Sequence, residues 1–157
     1  MSIFKISVII IIGWLLTACE STTGDTPAFD ETLQKKMTQS YCYQYMYGGY
    51  GSAINYDKAY FWCGKSIING NPKSMSLMGE IYLLGLGQPV QPNKAFYWYD
   101  KAAELGHSHA QYMLAHIYHE GLGVTRSAEL ALQWNKKAQA NNHPNAQHQK
   151  KQWNEGR

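Results

Sequence analysis

Six histidines, three cysteines and a few scattered carboxylates are the side chains with obvious chemistry in these 157 residues. His116 stands three positions before His119 and four before Glu120, a spacing that on a helix brings two imidazoles and a carboxylate within reach of one cation. The run His116-Ile117-Tyr118-His119-Glu120 is neither H-E-x-x-H nor H-x-x-E-H, however, so the two ligands and base of a zinc protease are missing and the three read as solvated groups. His107 and His143 stand 36 apart and share one position after a helix, which makes them loop residues. Serine acyl-enzymes of the lysine-assisted type carry that lysine three residues beyond the nucleophile, as S-x-x-K. The only S-x-x-K is Ser2 to Lys5, and neither S-D-N nor K-T-G occurs. There is no Gly-rich phosphate loop, and Asp57 and Asp100 form no pair. No catalytic residue, metal or cofactor is expected.

Those side chains must be positioned by something, and the composition bounds what it is. A mix of 45% hydrophobic, 16% charged and 13% aromatic residues fits one soluble domain and excludes disordered, collagen-like and multi-span membrane chains. Twelve Tyr and five Trp need burial or a binding surface. The net charge of +3 is spread along the chain apart from the pairs Lys35-Lys36, Lys136-Lys137 and Lys150-Lys151, so no clustered face for nucleic acid exists.

The organising feature is a 36-residue period. Trp62, Trp98 and Trp134 repeat at that interval, as do Ala59, Ala95 and Ala131, the lysines 65, 101 and 137, and the glycine pairs 49/51, 85/87 and 121/123. Laying Lys58–Gly87 on Lys94–Gly123 gives 10 identities in 30 positions without a gap, where ordinary residue frequencies give roughly two. Each unit reads as two helices. Ala110, Leu114, Ile117 and Tyr118 share one helical face that Gly121-Leu122-Gly123 closes; Ala95, Trp98, Tyr99 and Ala102 share the next, closed at Leu105-Gly106. The small residues Ala59, Ala95, Ala131, Gly79 and Ala115 mark where helices approach most closely.

The pattern Ala-x-x-x-Leu-Ala-x-x-Tyr-x-x-Gly-x-Gly-Val at Ala110–Val124, with Lys-Ala-x-x-Trp-Tyr-x-Lys-Ala-Ala-x-x-Gly at Lys94–Gly106, resembles the Sel-one-like repeat, a relative of the tetratricopeptide repeat. The likeness runs from about Thr38 to Gln149. It implies an all-α fold, an α-solenoid of antiparallel helix pairs over 34–157 with about three units and a C-terminal capping helix. Lys150 and Lys151 fall where Leu114 and Ala115 pack, so the last helix suits a soluble cap.

Upstream, Lys5, the apolar run Ile6–Leu16 and Leu16-Thr17-Ala18-Cys19 make an export signal over 1–18 too short to span a bilayer. Its end resembles the lipobox of bacterial lipoproteins, which implies cleavage before Cys19 and acylation there. Residues 19–33 read as a lipidated flexible tether. The expected location is the periplasmic side of a bacterial cell envelope, with the outer membrane favoured over the inner. In that oxidising setting two thiols remain. Cys42 takes the place of Leu114 and Cys63 that of Tyr99, both facing the shared interior, so a disulfide between the two helices is expected, against the alternative of two buried free thiols. Cysteine-rich relatives of this repeat link the two helices of a unit in that way.

In tetratricopeptide-like stacks the first helices line a concave face. Helical spacing places on it Ser40, Gln44 and Tyr47 in unit one, Lys73, Ser76, Glu80 and Leu83 in unit two, His109, Tyr112, His116, His119 and Glu120 in unit three, and His148 and Gln152 in the cap. This polar and aromatic groove suits an extended peptide or partner helix. The expected function is that of a lipid-anchored periplasmic scaffold holding a protein or peptide of the envelope, with the membrane reached through the lipid on Cys19. The alternative is an envelope enzyme acting on β-lactams or cell-wall material.

Overall fold

The computed structural model describes residues 30–49 and 51–155. The expected signal segment, Ser2 and Lys5 within it, Cys19 and the tether up to residue 29 lie outside the described residues. From Thr32 onward the chain forms one compact unit. Its seven helices among the described residues are α1 Glu31–Tyr47, α2 Tyr56–Ile68, α3 Pro72–Leu84, α4 Pro92–Glu104, α5 Ser108–Glu120, α6 Ala128–Ala140 and α7 Ala146–Glu155. No strand occurs among these residues; a single bridge joins Gly49 and Ser52. From α2 to α7 each helix packs on the next in chain order, which is the solenoid pattern. Helix α1 begins at Glu31, so residues 31–33 belong to it and not to a tether.

Helix starts follow from local hydrogen bonding. Asn55, Asn71, His107 and Ser127 stand just before α2, α3, α5 and α6, and each side chain accepts the N–H three residues on, at 2.9, 3.0, 3.3 and 3.2 Å. These acceptors satisfy donors that the first helical turn leaves unpaired. Helices α3 and α5 end on Gly85 and Gly121, both left-handed, with φ of 72° and 76°, donating back to Ile81 and Ile117. In the first unit the left-handed residue that follows the helix is Gly48, one position earlier than the period places it, so α1 stops a residue short.

The period becomes columns of equivalent environments. Ala59, Ala95 and Ala131 are each fully buried, and Trp62, Trp98 and Trp134 are each half-buried beside them. The contact between the two helices of a unit changes chemistry along the stack. Unit one joins Cys42 to Cys63 in a disulfide with Cα atoms 4.6 Å apart. In unit two Met78 and Tyr99 occupy those places and both are buried. Tyr99 lies flat against Gly79, where a Cβ would come within 2.9 Å of the ring. In unit three Leu114 stands opposite Asn135, which is fully buried. Asn135 Nδ2 donates to the carbonyl of Ala146 at 2.9 Å and to Gln149 Oε1 at 2.7 Å. The capping helix is therefore held through a buried polar network whose members satisfy one another, and its Lys150 and Lys151 face solvent.

Candidate partner-binding face

Helices α1, α3, α5 and α7 are the first helices of successive units, and their side chains interlock across the unit boundaries. Tyr47 on α1 donates its hydroxyl to Glu80 Oε2 on α3 at 2.6 Å. Partial burial of the hydroxyl end, reinforced by that carboxylate, raises the Tyr47 pKa well above the ordinary phenol range although much of the ring stays exposed. Lys73 Nζ lies 4.3 Å over the Tyr43 ring, which packs in turn on Tyr47. Between these helices opens a cavity of about 380 Å³ lined by Lys36, Gln39, Ser40, Tyr43, Gln44, Gly48 and Lys73. Its lining holds two ammonium groups and no carboxylate.

At the other end the rings continue. His109 stacks on Tyr112, and Tyr112 stacks on His143 at 4.3 Å between centroids. His109 Nδ1 and His143 Nε2 are 3.4 Å apart, so one imidazole donates to the other. Burial lowers the pKa of both, with their mutual repulsion adding at His143, so the neutral form of each ring is favoured. His119 lies parallel to the Trp153 ring of α7 at 4.4 Å and bonds Glu120 at 2.8 Å.

Of the residues placed on this face by spacing, Ser40, Tyr47, Lys73, Glu120 and His148 are exposed, and Gln44, Glu80, Leu83, His109, Tyr112, His116 and His119 are half-buried. Ser76, placed on this face by spacing, does not lie on it. It is buried at 2% exposure, because α3 runs inside the stack and buries Ser76, Leu77, Met78 and Gly79 in succession. His119 is likewise no free solvated group, being covered by Trp153. His143, read as a plain loop residue, joins Tyr112 and His109 instead. That cluster has no signal in local spacing, since His107 at the equivalent position caps its helix and His143 does not. Among the described residues no three His, Cys, Asp or Glu side chains are grouped to hold a metal, and no helix is long and apolar enough to cross a membrane.

His107 ties this region to pH. Burial first, then the neighbouring His109, lowers its pKa to about 4. A folded-state value below the unfolded one of about 6.5 means the unfolded chain binds more protons in that window, so stability falls as pH drops from about 6.5 to about 4. Asn71 fills the same cap position one unit earlier and caps its helix equally well. The variant His107→Asn is therefore expected to keep its pH 7.5 melting temperature and lose much of the acid sensitivity, as melting curves at pH 7.5 and 5 would record.

An array of helix pairs that bury one side against equivalent neighbours and leave a row of first helices open is a helical-repeat scaffold. Its repeats match the Sel1 repeat model at residues 40–71, 72–107 and 108–143, and the chain belongs to the Sel1 repeat family. Proteins of this family are scaffolds that typically serve protein interaction. Among solved structures the chain is similar to a Sel1 repeat protein from Oxalobacter formigenes, at 29% identity and a TM-score of 0.67, covering 71% of this chain and 44% of that one. It is also similar to c5321, a protective antigen of uropathogenic Escherichia coli strains displaying an SLR fold, at 32% identity and a TM-score of 0.68, covering 72% and 24%. Cysteine rich protein B of Helicobacter pylori shares the fold at 20% identity, with a TM-score of 0.61 and coverage of 73% and 90%. The chain thus spans under half the length of the first two. No curated protein matches it.

Proposed function

We propose that the chain is a lipid-anchored periplasmic scaffold that holds a protein or peptide partner across the face of its first helices. The observation that carries this reading is the run of half-exposed rings and charges from Tyr43, Tyr47 and Glu80 to Tyr112 and His109, which the apolar core does not require. Aromatic rings with polar tips supply contact area at low entropic cost and accept an extended backbone or a helix. The cavity bordered by Lys36 and Lys73 favours a carboxylate-bearing stretch of that partner. Export is supported by Leu16-Thr17-Ala18-Cys19 and by the Cys42–Cys63 disulfide, since such bonds persist in oxidising compartments.

Two measurements test the reading. Intact-mass analysis of the protein extracted from membranes should find residues 1–18 removed and an acylated Cys19; an unmodified thiol there contradicts the anchor. Tyr112→Ala combined with His116→Ala, or Lys73→Glu alone, should reduce capture of a co-purifying envelope protein at least tenfold, and unchanged capture contradicts the face. Under this reading the protein turns over neither nitrocefin nor peptidoglycan.

A further inference from the structure

Helix α2 buries Ala59, Cys63 and Ser66 on one side, and its opposite side is unlike the rest of the repeat. Phe61, Gly64, Lys65 and Ile68 follow one another there at helical spacing, with Phe61 54% and Ile68 82% exposed. The same positions hold Tyr97, Asp100, Lys101 and Glu104 on α4, and Gln133, Lys136, Lys137 and Ala140 on α6. One lysine is kept throughout and unit two keeps an exposed ring at Tyr97, but only the first unit sets a large aliphatic residue, Ile68, where the others have Glu104 and Ala140. The scaffold folds twice without that apolar stripe, so packing does not call for it.

These side chains open with Ile67 and Trp98 onto an apolar cavity of about 490 Å³ in which Lys65 is the one charged lining residue. The Lys65 ammonium lies 5.5 Å over Phe61, and that of Lys94 lies 5.1 Å over Tyr82, another wall of the cavity. No carboxylate lines it. Exposed aliphatic and aromatic groups flanked by lysines are the composition of surfaces that settle into a lipid headgroup layer.

We propose that the outer side of α2, with the adjoining wall of α4, docks on an anionic membrane surface. An acidic amphipathic helix of a partner would meet the same charges, but the chain outside the described residues favours the membrane. This step rests on the lipid-anchor reading. Eleven residues, Cys19–Phe29, precede Asp30, and whatever their conformation they cannot exceed roughly 40 Å. An acylated Cys19 would therefore tether the folded unit close to a headgroup layer, where an apolar, lysine-flanked face has a ready surface to meet. Because α2 and α4 form the layer behind the first helices, docking there leaves Lys73 and Tyr112 open to a partner.

The test uses the full chain with Cys19→Ser, exported without acylation, mixed with phosphatidylcholine vesicles holding a quarter phosphatidylglycerol and with pure phosphatidylcholine vesicles. Sedimentation and tryptophan emission should report saturable binding to the anionic vesicles, weaker on the neutral ones. Ile68→Glu and Lys65→Glu should each lower that binding at least tenfold, and Lys150→Glu, an equal charge change on the capping helix, should not. Circular dichroism establishes that each variant is folded. A folded protein that stays off the anionic vesicles at millimolar lipid, or one whose binding Ile68→Glu leaves intact, overturns the proposal. Absence from vesicles together with an Ile68-dependent protein crosslink would assign the face to a protein partner and overturn it equally. None of these outcomes alters the mass of native Cys19, which tests the anchor separately.

Discussion

Reducing the Cys42–Cys63 bridge is expected to lower the unfolding free energy by about 3 kcal/mol, the chain-entropy value for a loop of this length. The bonded residues are 21 apart in sequence and both are fully buried. For a domain of this size that loss corresponds to a fall of about 10 °C in melting temperature. The effect should be concentrated in α1, a terminal helix with a neighbouring unit on one side only. Its Ser40, Gln44 and Tyr47 form one end of the proposed binding face, so the reduced protein should also lose the Tyr47–Glu80 contact. Melting with and without reductant, alongside a Cys42→Ala, Cys63→Ala double variant, checks this. Equal melting temperatures for oxidised and reduced protein would show that the bridge contributes nothing.

Gly123→Ala should be as damaging through a different cause. Gly123 has φ of 72°, and a Cβ there would lie 2.6 Å from the backbone nitrogen of Asn93 and 2.7 Å from the carbonyl carbon of Pro92. A left-handed alanine costs about 1–2 kcal/mol by itself. Because the obstruction is the backbone at the start of α4, it cannot swing aside as a side chain could, and the total should exceed about 3 kcal/mol. Gly106 provides the control, since its φ is 81° and nothing lies within 4 Å of its Cβ position. Gly106→Ala should show only the conformational part. Urea unfolding of the two variants separates the contributions, and equal losses would contradict a close approach at Gly123. The second glycine of the pairs 85/87 and 121/123 is thus explained by the preceding unit, since at Gly87 a Cβ would similarly come within 2.8 Å of Tyr56, whereas at Gly51 in the first unit nothing lies within 4 Å.

The repeat made most of this fold legible, because an environment that recurs three times shows its requirements three times. The Ala59, Ala95 and Ala131 column, the half-buried tryptophans and the pairing of Cys42 with Cys63 all followed from position within the unit. What escaped depended on contacts between units. Ser76 has the spacing of a surface residue on α3, but that helix is covered on both flanks, which spacing along one helix cannot reveal. The His109–Tyr112–His143 cluster joins residues 34 apart and forms because His143 leaves the capping role that His107 keeps. Trp153 covering His119 depends on how the cap docks, and its equivalents Ile81 and Ile117 are fully buried aliphatic residues that give no sign of a ring over the neighbouring helix. The one-residue shift at Gly48 arises where the first unit departs from its neighbours.

The proposed function requires that the first-helix face, and no other surface of the repeat unit, receive the protein partner. Photocrosslinking in living cells tests it most directly, with the reactive residue placed in turn at Lys73, Tyr112 and His116 and, on the outward side of α6, at Lys136. One discrete protein adduct, shared by the three face positions and lacking at Lys136, is the expected result. Adducts of equal yield at all four, or at Lys136 alone, would contradict it.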